Sequence, residues 1–321
     1  MSKKSIEIVY NEFKPDFLKL IKEYPELKKY LILKNKDEED IEKCEEISFD
    51  WSNNNLSLLM TKCILNYYFN IKYYDIPNNF LIPPVPSRLN YINVIQSLLS
   101  LFKVDDKNEI IGVDIGTGAN IIYPILGSEV YKWEFICSEI NDEAFKNGER
   151  IINKNNLENR IKVIKQKYKY NIFFGILNRE KKYTFTMCNP PYYDFQDEIK
   201  IEDGKRDCEY NFDEIYYKNG EIGFFERYFE ESIYFSKNVF LFSFLIGKKS
   251  NAEKIFDKIV NTKDSIKICD MKRIKNGNNI RYIIYWSFFN NYQEFLDVIL
   301  YSNEYNRLSK FIFLFLFNFI S

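Results

Sequence analysis

Apolar residues recur at helical spacing through the first third of the chain. This spacing predicts helices over residues 15–30, 54–71 and 82–102. Pro25 breaks the first of these helices, and Ser52 or Asn53 can cap the second. An acidic, polar stretch at 34–46 predicts a solvated loop between them. We therefore expect a helical N-terminal extension over residues 1–80.

From residue 109 onward, short apolar runs alternate with helical segments such as 141–156. The runs, each of which predicts a strand, are 109–116, 133–140, 161–165, 183–189, 238–247, 265–271 and 280–289. Apolar strands separated by helices predict a mainly parallel sheet with helices on both faces. The last two runs, joined at 276–279, predict an antiparallel hairpin at one edge. This α/β sheet of seven strands is the layout of class I methyltransferases, and we assign residues 81–291 to such a domain.

Composition narrows the chemistry that this domain can perform. The 321 residues include no histidine, which excludes Ser-His-Asp and Cys-His catalysis and histidine-ligated metals. The six cysteines form no CxxC pair, so we expect no metal. Because the net charge is −1, a nucleic-acid partner would need a local basic patch.

We treat 292–321 as a tail, whose apolar run at 311–321 is shorter than the roughly 20 residues of a spanning helix. We therefore expect no membrane partner.

The loop after the first predicted strand, VDIGTGAN, contains Asp114, Gly116 and Gly118, and Asn120 follows at the start of the next helix. Glycines there let the backbone approach a ligand closely, and a helix N-terminus offers free N–H groups. Glu139 closes the second strand about 20 residues further on, where a carboxylate accepts hydrogen bonds from ribose hydroxyls. No phosphate-binding lysine follows the glycines, which disfavours phosphoryl transfer. These features favour a nucleoside-type cofactor such as S-adenosylmethionine.

The loop after the fourth predicted strand, CNPPYY, ends that strand with two prolines. The side-chain oxygen of Asn189 and the carbonyl of Pro190 can both accept hydrogen bonds from one planar NH₂ group, and Pro191 helps to fix their geometry. The Tyr192 ring can stack on the flat group that carries this amine. Two such acceptors stabilise the positive charge that develops as the nitrogen accepts a methyl group. Adenine N6, cytosine N4 and a glutamine amide all fit this tetrapeptide.

Several stretches match one protein family in the same order. They are PPVPSRLNYI, GVDIGTGANIIYPILG, SEIND, MCNPPYY, NGEIGFFERYFEES, LIGKKSN and RYIIYWSFF, and the similarity spans about residues 10–290. On these stretches the chain resembles the methyltransferase-like 16 proteins, which share a family with the bacterial ribosomal RNA large-subunit methyltransferase F enzymes. The resemblance implies S-adenosylmethionine-dependent methylation of adenine N6 in a structured RNA, such as U6 small nuclear RNA, messenger RNA hairpins or ribosomal RNA.

The resemblance also implies roles for individual residues. Arg88 matches the arginine that binds the methionine carboxylate of the cofactor. Other positions similar to cofactor-contacting residues are Gly116, Asn120, Glu139, Tyr170 and Asn189. Residues 189–192 match the catalytic tetrad, with tyrosine at the last position where the family usually has phenylalanine. Either ring can stack on a base, so activity is expected to survive this difference.

Candidate RNA contacts are cations near the expected active face. They are Lys14, Lys205, Arg206, Lys248, Lys249, Arg273, Lys275 and Arg281, and the helical extension is expected to contact RNA as well. Because the target adenine has to leave its stack to reach Asn189, we expect it in a loop or bulge of the RNA.

Two other functions stay open for this sequence. One is a protein glutamine N5-methyltransferase, since a glutamine amide also presents a planar NH₂ group. The other is a slow-turnover RNA-binding regulator that acts by occupancy, although the intact tetrad counts against it. For the location we expect the nucleus, with the cytoplasm as the alternative.

Overall fold

The N-terminal segments fold where the apolar spacing predicts them. In a computed structural model of the chain, the structure describes residues 12–32, 48–104, 109–194, 216–262, 265–276 and 279–298. Helix α1 (Phe17–Glu23) ends before Pro25, and a 3-10 helix (Pro25–Tyr30) follows. Strands β1 (Leu31–Ile32) and β2 (Ser48–Phe49) pair antiparallel. The predicted loop at 34–46 lies outside the described residues.

The two longer N-terminal helices confirm the prediction, with ends shifted by a few residues. They are α2 (Asn54–Phe69) and α3 (Val85–Leu101). Asn53 caps α2, because its side-chain oxygen accepts the N–H groups of Asn55 at 2.9 Å and Leu56 at 3.2 Å. The predicted apolar face of α3 is buried, and it comprises Ile92, Ile95, Leu98 and Leu99.

A sheet of seven strands forms the centre of the protein. Its strands are β3 (Ile111–Ile115), β4 (Glu134–Glu139), β5 (Ile161–Lys165), β6 (Tyr183–Cys188), β7 (Val239–Ile246), β8 (Ile268–Asn276) and β9 (Asn279–Ser287). They lie in the order β5-β4-β3-β6-β7-β9-β8, and β9 is antiparallel to both of its neighbours. Every residue of β6 and β7 is buried, which explains their continuous apolar sequences. The predicted α/β class I methyltransferase layout is confirmed.

The edge hairpin is longer than its apolar pattern indicates. The pattern ends at residue 271, whereas β8 continues to Asn276 and pairs with β9 in register up to Asn279. Charged residues interrupt the apolar run over this stretch. An edge strand has one unpaired side facing solvent, so charged side chains are tolerated there without ending the strand.

Helices cover both faces of the sheet and create two cores. The helices after the first sheet strand are α4 (Ile122–Tyr131), α5 (Asp142–Lys154), α6 (Gly220–Tyr234) and α7 (Lys249–Asn261). One core joins α1 to α5 with sheet residues such as Phe185, and the other joins α6 and α7 with Phe242 and Trp286. Leu20 and Leu65 of the N-terminal extension belong to the first core. The extension therefore packs directly on the methyltransferase fold.

The segment after β9 also packs on this fold. Residues 292–298 are helical, and the rings of Tyr292 and Phe295 lie 5.1 Å and 5.9 Å from the ring of Phe240 in β7. The remainder of the predicted tail, 299–321, lies outside the described residues. Within the described ranges, no helix has the length and apolar character that crossing a membrane requires.

Candidate active site

The loop between β3 and α4 borders a cavity at the carboxyl end of the sheet. Gly116 and Gly118 in this loop have φ angles of +69° and +68°, a conformation that glycine adopts without strain. A β-carbon at Gly116 would meet no atom within 4 Å, so the backbone there is open to a ligand. The cavity encloses about 140 Å³ and is also lined by Arg88, Asn120 and Glu139.

Glu139, at the end of β4, holds this loop in place. One of its carboxylate oxygens accepts the Gly118 N–H at 2.8 Å, and the other accepts the N–H groups of Ile140 and Asn141 at 2.7 Å each. Burial raises the pKa of Glu139, and these three N–H groups oppose the rise. A carboxylate has about four lone-pair sites, so one acceptor site remains for a ligand hydroxyl.

Asp114 precedes the lining residue Ile115 in β3 and does not itself line the cavity. It is 1% exposed, and its Oδ2 has no hydrogen-bond partner among the described residues. Burial raises the pKa of Asp114 to about 7, and the Glu139 carboxylate adds to this rise while Arg88 opposes it. The structure therefore places a weakly acidic group, partly protonated at neutral pH, beneath the glycine loop.

Arg88 lines the cavity from α3. Its Nη1 donates to the hydroxyl of Tyr123 at 3.3 Å, and its guanidinium carbon lies 5.7 Å from the centre of the Tyr123 ring. Arg88 forms no ion pair with the described part of the chain. Its charge is therefore available to an anionic group of a ligand.

Of the two predicted contact residues Asn120 and Tyr170, only Asn120 lines the cavity. Asn120 lines the cavity, while its amide accepts the Ile122 N–H at 3.2 Å and donates to the Leu81 carbonyl at 3.5 Å. The structure does not bring the Tyr170 side chain to the cavity, and 62% of this residue is exposed. A turn closed by the Asn171 N–H and the Tyr168 carbonyl directs Tyr170 outward, and its neighbours Lys169 and Asn171 line the cavity instead.

The predicted tetrad follows β6 and forms part of the same cavity wall. Asn189, Pro190 and Pro191 line the cavity. The Tyr192 hydroxyl donates to the side-chain oxygen of Asn189 at 2.5 Å, and burial raises the pKa of Tyr192, so the hydroxyl stays protonated. The Tyr192 ring packs on the backbone of Gly247, where a β-carbon would lie 2.9 Å from Cδ1 of the ring.

Tyr192 faces a second and larger groove, of about 940 Å³. The groove walls come from the chain before α1, from α3 and from the β8–β9 hairpin, and Lys14, Lys275 and Arg281 line it. The Arg281 guanidinium carbon lies 5.6 Å from the centre of the Tyr192 ring. Arg88 lines this groove as well as the smaller cavity. The tetrad and Arg88 therefore form the boundary between the two spaces.

The other predicted RNA contacts within the described residues do not line this groove. Lys248 precedes α7, and Lys249 pairs with Glu253 at 3.5 Å. Arg273 is paired in register with Tyr282, whose ring packs in the core of the opposite face of the sheet. Lys205 and Arg206 lie outside the described residues.

Several lining residues were not predicted from the sequence. They include Thr117, Ser138, Gln166, Asn171 and Phe224 in the cavity, and Phe13, Pro86 and Asn90 in the groove. Gln166 comes directly after β5, so its position at a strand end was an available signal. The described part of the chain contains no group of three or more acidic, cysteine or histidine side chains that could hold a metal ion.

The strand order, the glycine loop after β3 and the carboxylate that closes β4 define a class I S-adenosylmethionine-dependent methyltransferase fold. Comparison with known proteins then identifies the family. The RNA methyltransferase family profile matches residues 9–290, and the chain belongs to this family.

Curated relatives and solved structures agree with this assignment. The chain is 31% identical to ribosomal RNA large subunit methyltransferase F of Flavobacterium johnsoniae, over 87% of this chain and 92% of that protein. It is 29% identical to the Klebsiella pneumoniae enzyme of the same name, over 85% of this chain and 91% of that one. The human METTL16 catalytic domain in complex with the MAT2A 3′UTR hairpin 6 is similar at a TM-score of 0.71 and 27% identity, covering 86% of this chain and 93% of that one. The N-terminal domain of human METTL16 in complex with SAH has a TM-score of 0.68 at 27% identity, covering 86% and 95%.

Proposed function

We propose that the protein transfers a methyl group from S-adenosylmethionine to N6 of an adenine in a structured RNA. The observation that carries this proposal is the position of the tetrad between two spaces. Asn189, Pro190 and Pro191 line the smaller cavity, and Tyr192 lines the larger groove. A cofactor in the cavity and a base in the groove would therefore meet at Asn189.

The residues around the cavity fit S-adenosylmethionine, which supplies an electrophilic methyl group when it is bound. Glu139 keeps one acceptor site for a ribose hydroxyl, and the open Gly116 backbone admits close approach. Arg88 offers an unpaired cation to the methionine carboxylate. The METTL16 domain that was solved in complex with SAH supports the same cofactor class.

The tetrad supplies acceptors and a stacking ring. Asn189 Oδ1 and the Pro190 carbonyl would accept the two hydrogens of N6, and the positive charge that develops on this nitrogen is stabilised by both oxygens. Tyr192 would stack on the adenine ring. Its hydroxyl donates to one lone pair of Asn189 Oδ1, so it competes with the adenine amine for this oxygen. No general base is needed before the methyl group is transferred.

RNA is the substrate class that the groove favours. Lys14, Lys275 and Arg281 place three cations along it in addition to Arg88, with Glu12 as the acidic residue of the lining. Lys14 and Glu12 are 3.9 Å apart and exposed, so their attraction is weak and Lys14 can turn to a phosphate. METTL16 in complex with two MAT2A hairpins supports a structured RNA. An adenine in a loop or bulge needs the least unstacking to reach Asn189.

Tritium transfer from labelled S-adenosylmethionine tests this function. Total RNA from cells that lack the gene should accept the label, and digestion of the RNA should yield N6-methyladenosine. Asn189→Ala should lower the rate about 100-fold and leave SAH binding within twofold of the native protein. Label in protein rather than RNA would establish the glutamine methyltransferase instead. Transfer that survives in Asn189→Ala would refute the mechanism, and RNA binding without any transfer would support a regulator that acts by occupancy.

A further inference from the structure

Helix α6 carries two buried carboxylates that take no part in the mechanism described above. Glu221 is 1% exposed and Glu231 is 2% exposed. They lie on the face of α6 that also carries Tyr228, whose hydroxyl is 2.6 Å from Thr186 Oγ1 in β6 and 3.1 Å from the Ser243 carbonyl in β7. Burying a carboxylate costs free energy unless hydrogen-bond donors surround it. The donors bound by each carboxylate therefore indicate its role.

Glu221 holds the loop between β7 and α7. It accepts the N–H groups of Gly247 at 2.8 Å and Lys248 at 3.4 Å, and the Asn251 side-chain amide at 2.6 Å. The Tyr192 ring packs on the backbone of Gly247. Glu221 therefore fixes the surface against which the stacking ring rests.

Glu231 holds a different loop, at the other side of the site. It accepts the N–H groups of Ile172 at 3.1 Å, Phe173 at 2.6 Å and Phe174 at 3.0 Å. Ile172 lines the smaller cavity. Arg227 pairs with Glu231 at 3.2 Å and donates to the Tyr170 carbonyl at 2.7 Å, which ties the preceding residues to the same helix.

We propose that Glu221 and Glu231 are positioning residues with separate roles. Glu221 aligns Tyr192 for the substrate base in the groove, and Glu231 aligns the 171–174 segment for the cofactor in the cavity. This inference rests on the proposed function, because it takes the groove as the substrate site and the cavity as the cofactor site. Neither carboxylate touches the reacting atoms. Each acts through backbone N–H groups of a loop that is distant in sequence.

The two positions allow a crossed experiment in which each variant is the control for the other. Glu221→Gln and Glu231→Gln keep the side-chain volume and replace one acceptor oxygen with a donor that faces N–H groups. We expect Glu221→Gln to raise KM for total RNA about tenfold and to leave the SAH Kd within twofold. We expect Glu231→Gln to raise the SAH Kd about tenfold and to leave KM for RNA within twofold at saturating S-adenosylmethionine.

If the two residues had a purely structural role, each variant would raise both KM for RNA and the SAH Kd, and that outcome overturns the inference. The inference is also overturned if a variant changes neither quantity, or if it changes only the quantity assigned to the other carboxylate. If either glutamine variant fails to fold, milder changes remove one partner of each carboxylate. Asn251→Ala should raise KM for RNA alone, and Arg227→Gln should raise the SAH Kd alone. Failure of the proposed function appears in the native protein, as absent transfer to RNA, whereas failure of this inference appears only in the variants.

Discussion

Removing the Tyr192 hydroxyl is expected to improve catalysis. In the structure this hydroxyl donates to Asn189 Oδ1 at 2.5 Å. The proposed reaction needs the same oxygen to accept a hydrogen of adenine N6, so the hydroxyl competes with the substrate for this acceptor. Burial raises the pKa of Tyr192, so the hydroxyl remains a competing donor at every working pH. Tyr192→Phe removes the competitor and keeps the stacking ring.

A hydrogen bond between neutral groups contributes about 1 kcal/mol net, and displacing this one would cost the substrate up to that amount. Tyr192→Phe should therefore lower KM for RNA by up to about fivefold, with kcat unchanged. Initial rates of tritium transfer over a range of RNA concentrations measure both constants, and SAH binding by calorimetry serves as the control. A KM that stays the same or rises would show that the hydroxyl favours the substrate, and the reasoning would be refuted.

Three further predictions concern the ring support, the groove and the buried acid. Gly247→Ala places a β-carbon 2.9 Å from Cδ1 of Tyr192, so the ring has to shift, and kcat should fall about tenfold or more with SAH binding unchanged. Lys275→Ala should weaken RNA binding and reduce the slope of log affinity against log salt by about 1, measured by filter binding at several salt concentrations. Asp114 has a folded-state pKa of about 7 against an ordinary value of 3.8, so the folded state binds more protons than the unfolded state between these values. The free energy of unfolding should therefore fall by about 4 kcal/mol as pH rises from 4 to 8, and Asp114→Asn should remove most of this fall in urea titrations.

Each of these three predictions has a matched control. Gly116→Ala meets no atom within 4 Å but has a positive φ, so it should affect SAH binding rather than the Tyr192 ring. Lys249→Ala removes a lysine that pairs with Glu253 outside the groove, and an equal salt effect from it would contradict the groove assignment. A pH slope in Asp114→Asn as steep as that of the native protein would show that another buried group, such as Glu139, is responsible.

The sequence predicted the sheet and the strand-end residues because both depend on local signals. Runs of buried apolar residues give the strands, and parallel strands bring their carboxyl ends to one edge, where Glu139 and Asn189 meet the glycine loop. The orientation of the Tyr170 side chain could not be predicted, because a turn of a few residues decides which neighbour faces the cavity.

The two α6 carboxylates were not predicted for a different reason. In NGEIGFFERYFEES they resemble the solvated acids of an amphipathic helix. Their burial is possible because loops distant in sequence supply N–H donors, and no local pattern reports those donors. The groove is likewise built from segments as far apart as Phe13 and Arg281.

The absence of histidine fits the chemistry that these residues can perform. In the proposed reaction the nitrogen attacks as a neutral amine, so a proton need not be removed beforehand, and the developing charge needs only oriented acceptors. Rate then depends on how well the Asn189 oxygen, the Pro190 carbonyl and the Tyr192 ring are held in place. Rigid backbone and ring contacts hold these groups in place better than titratable side chains would. The two prolines fix the acceptors, the Gly247 backbone supports the ring, and Glu221 fixes that backbone in turn.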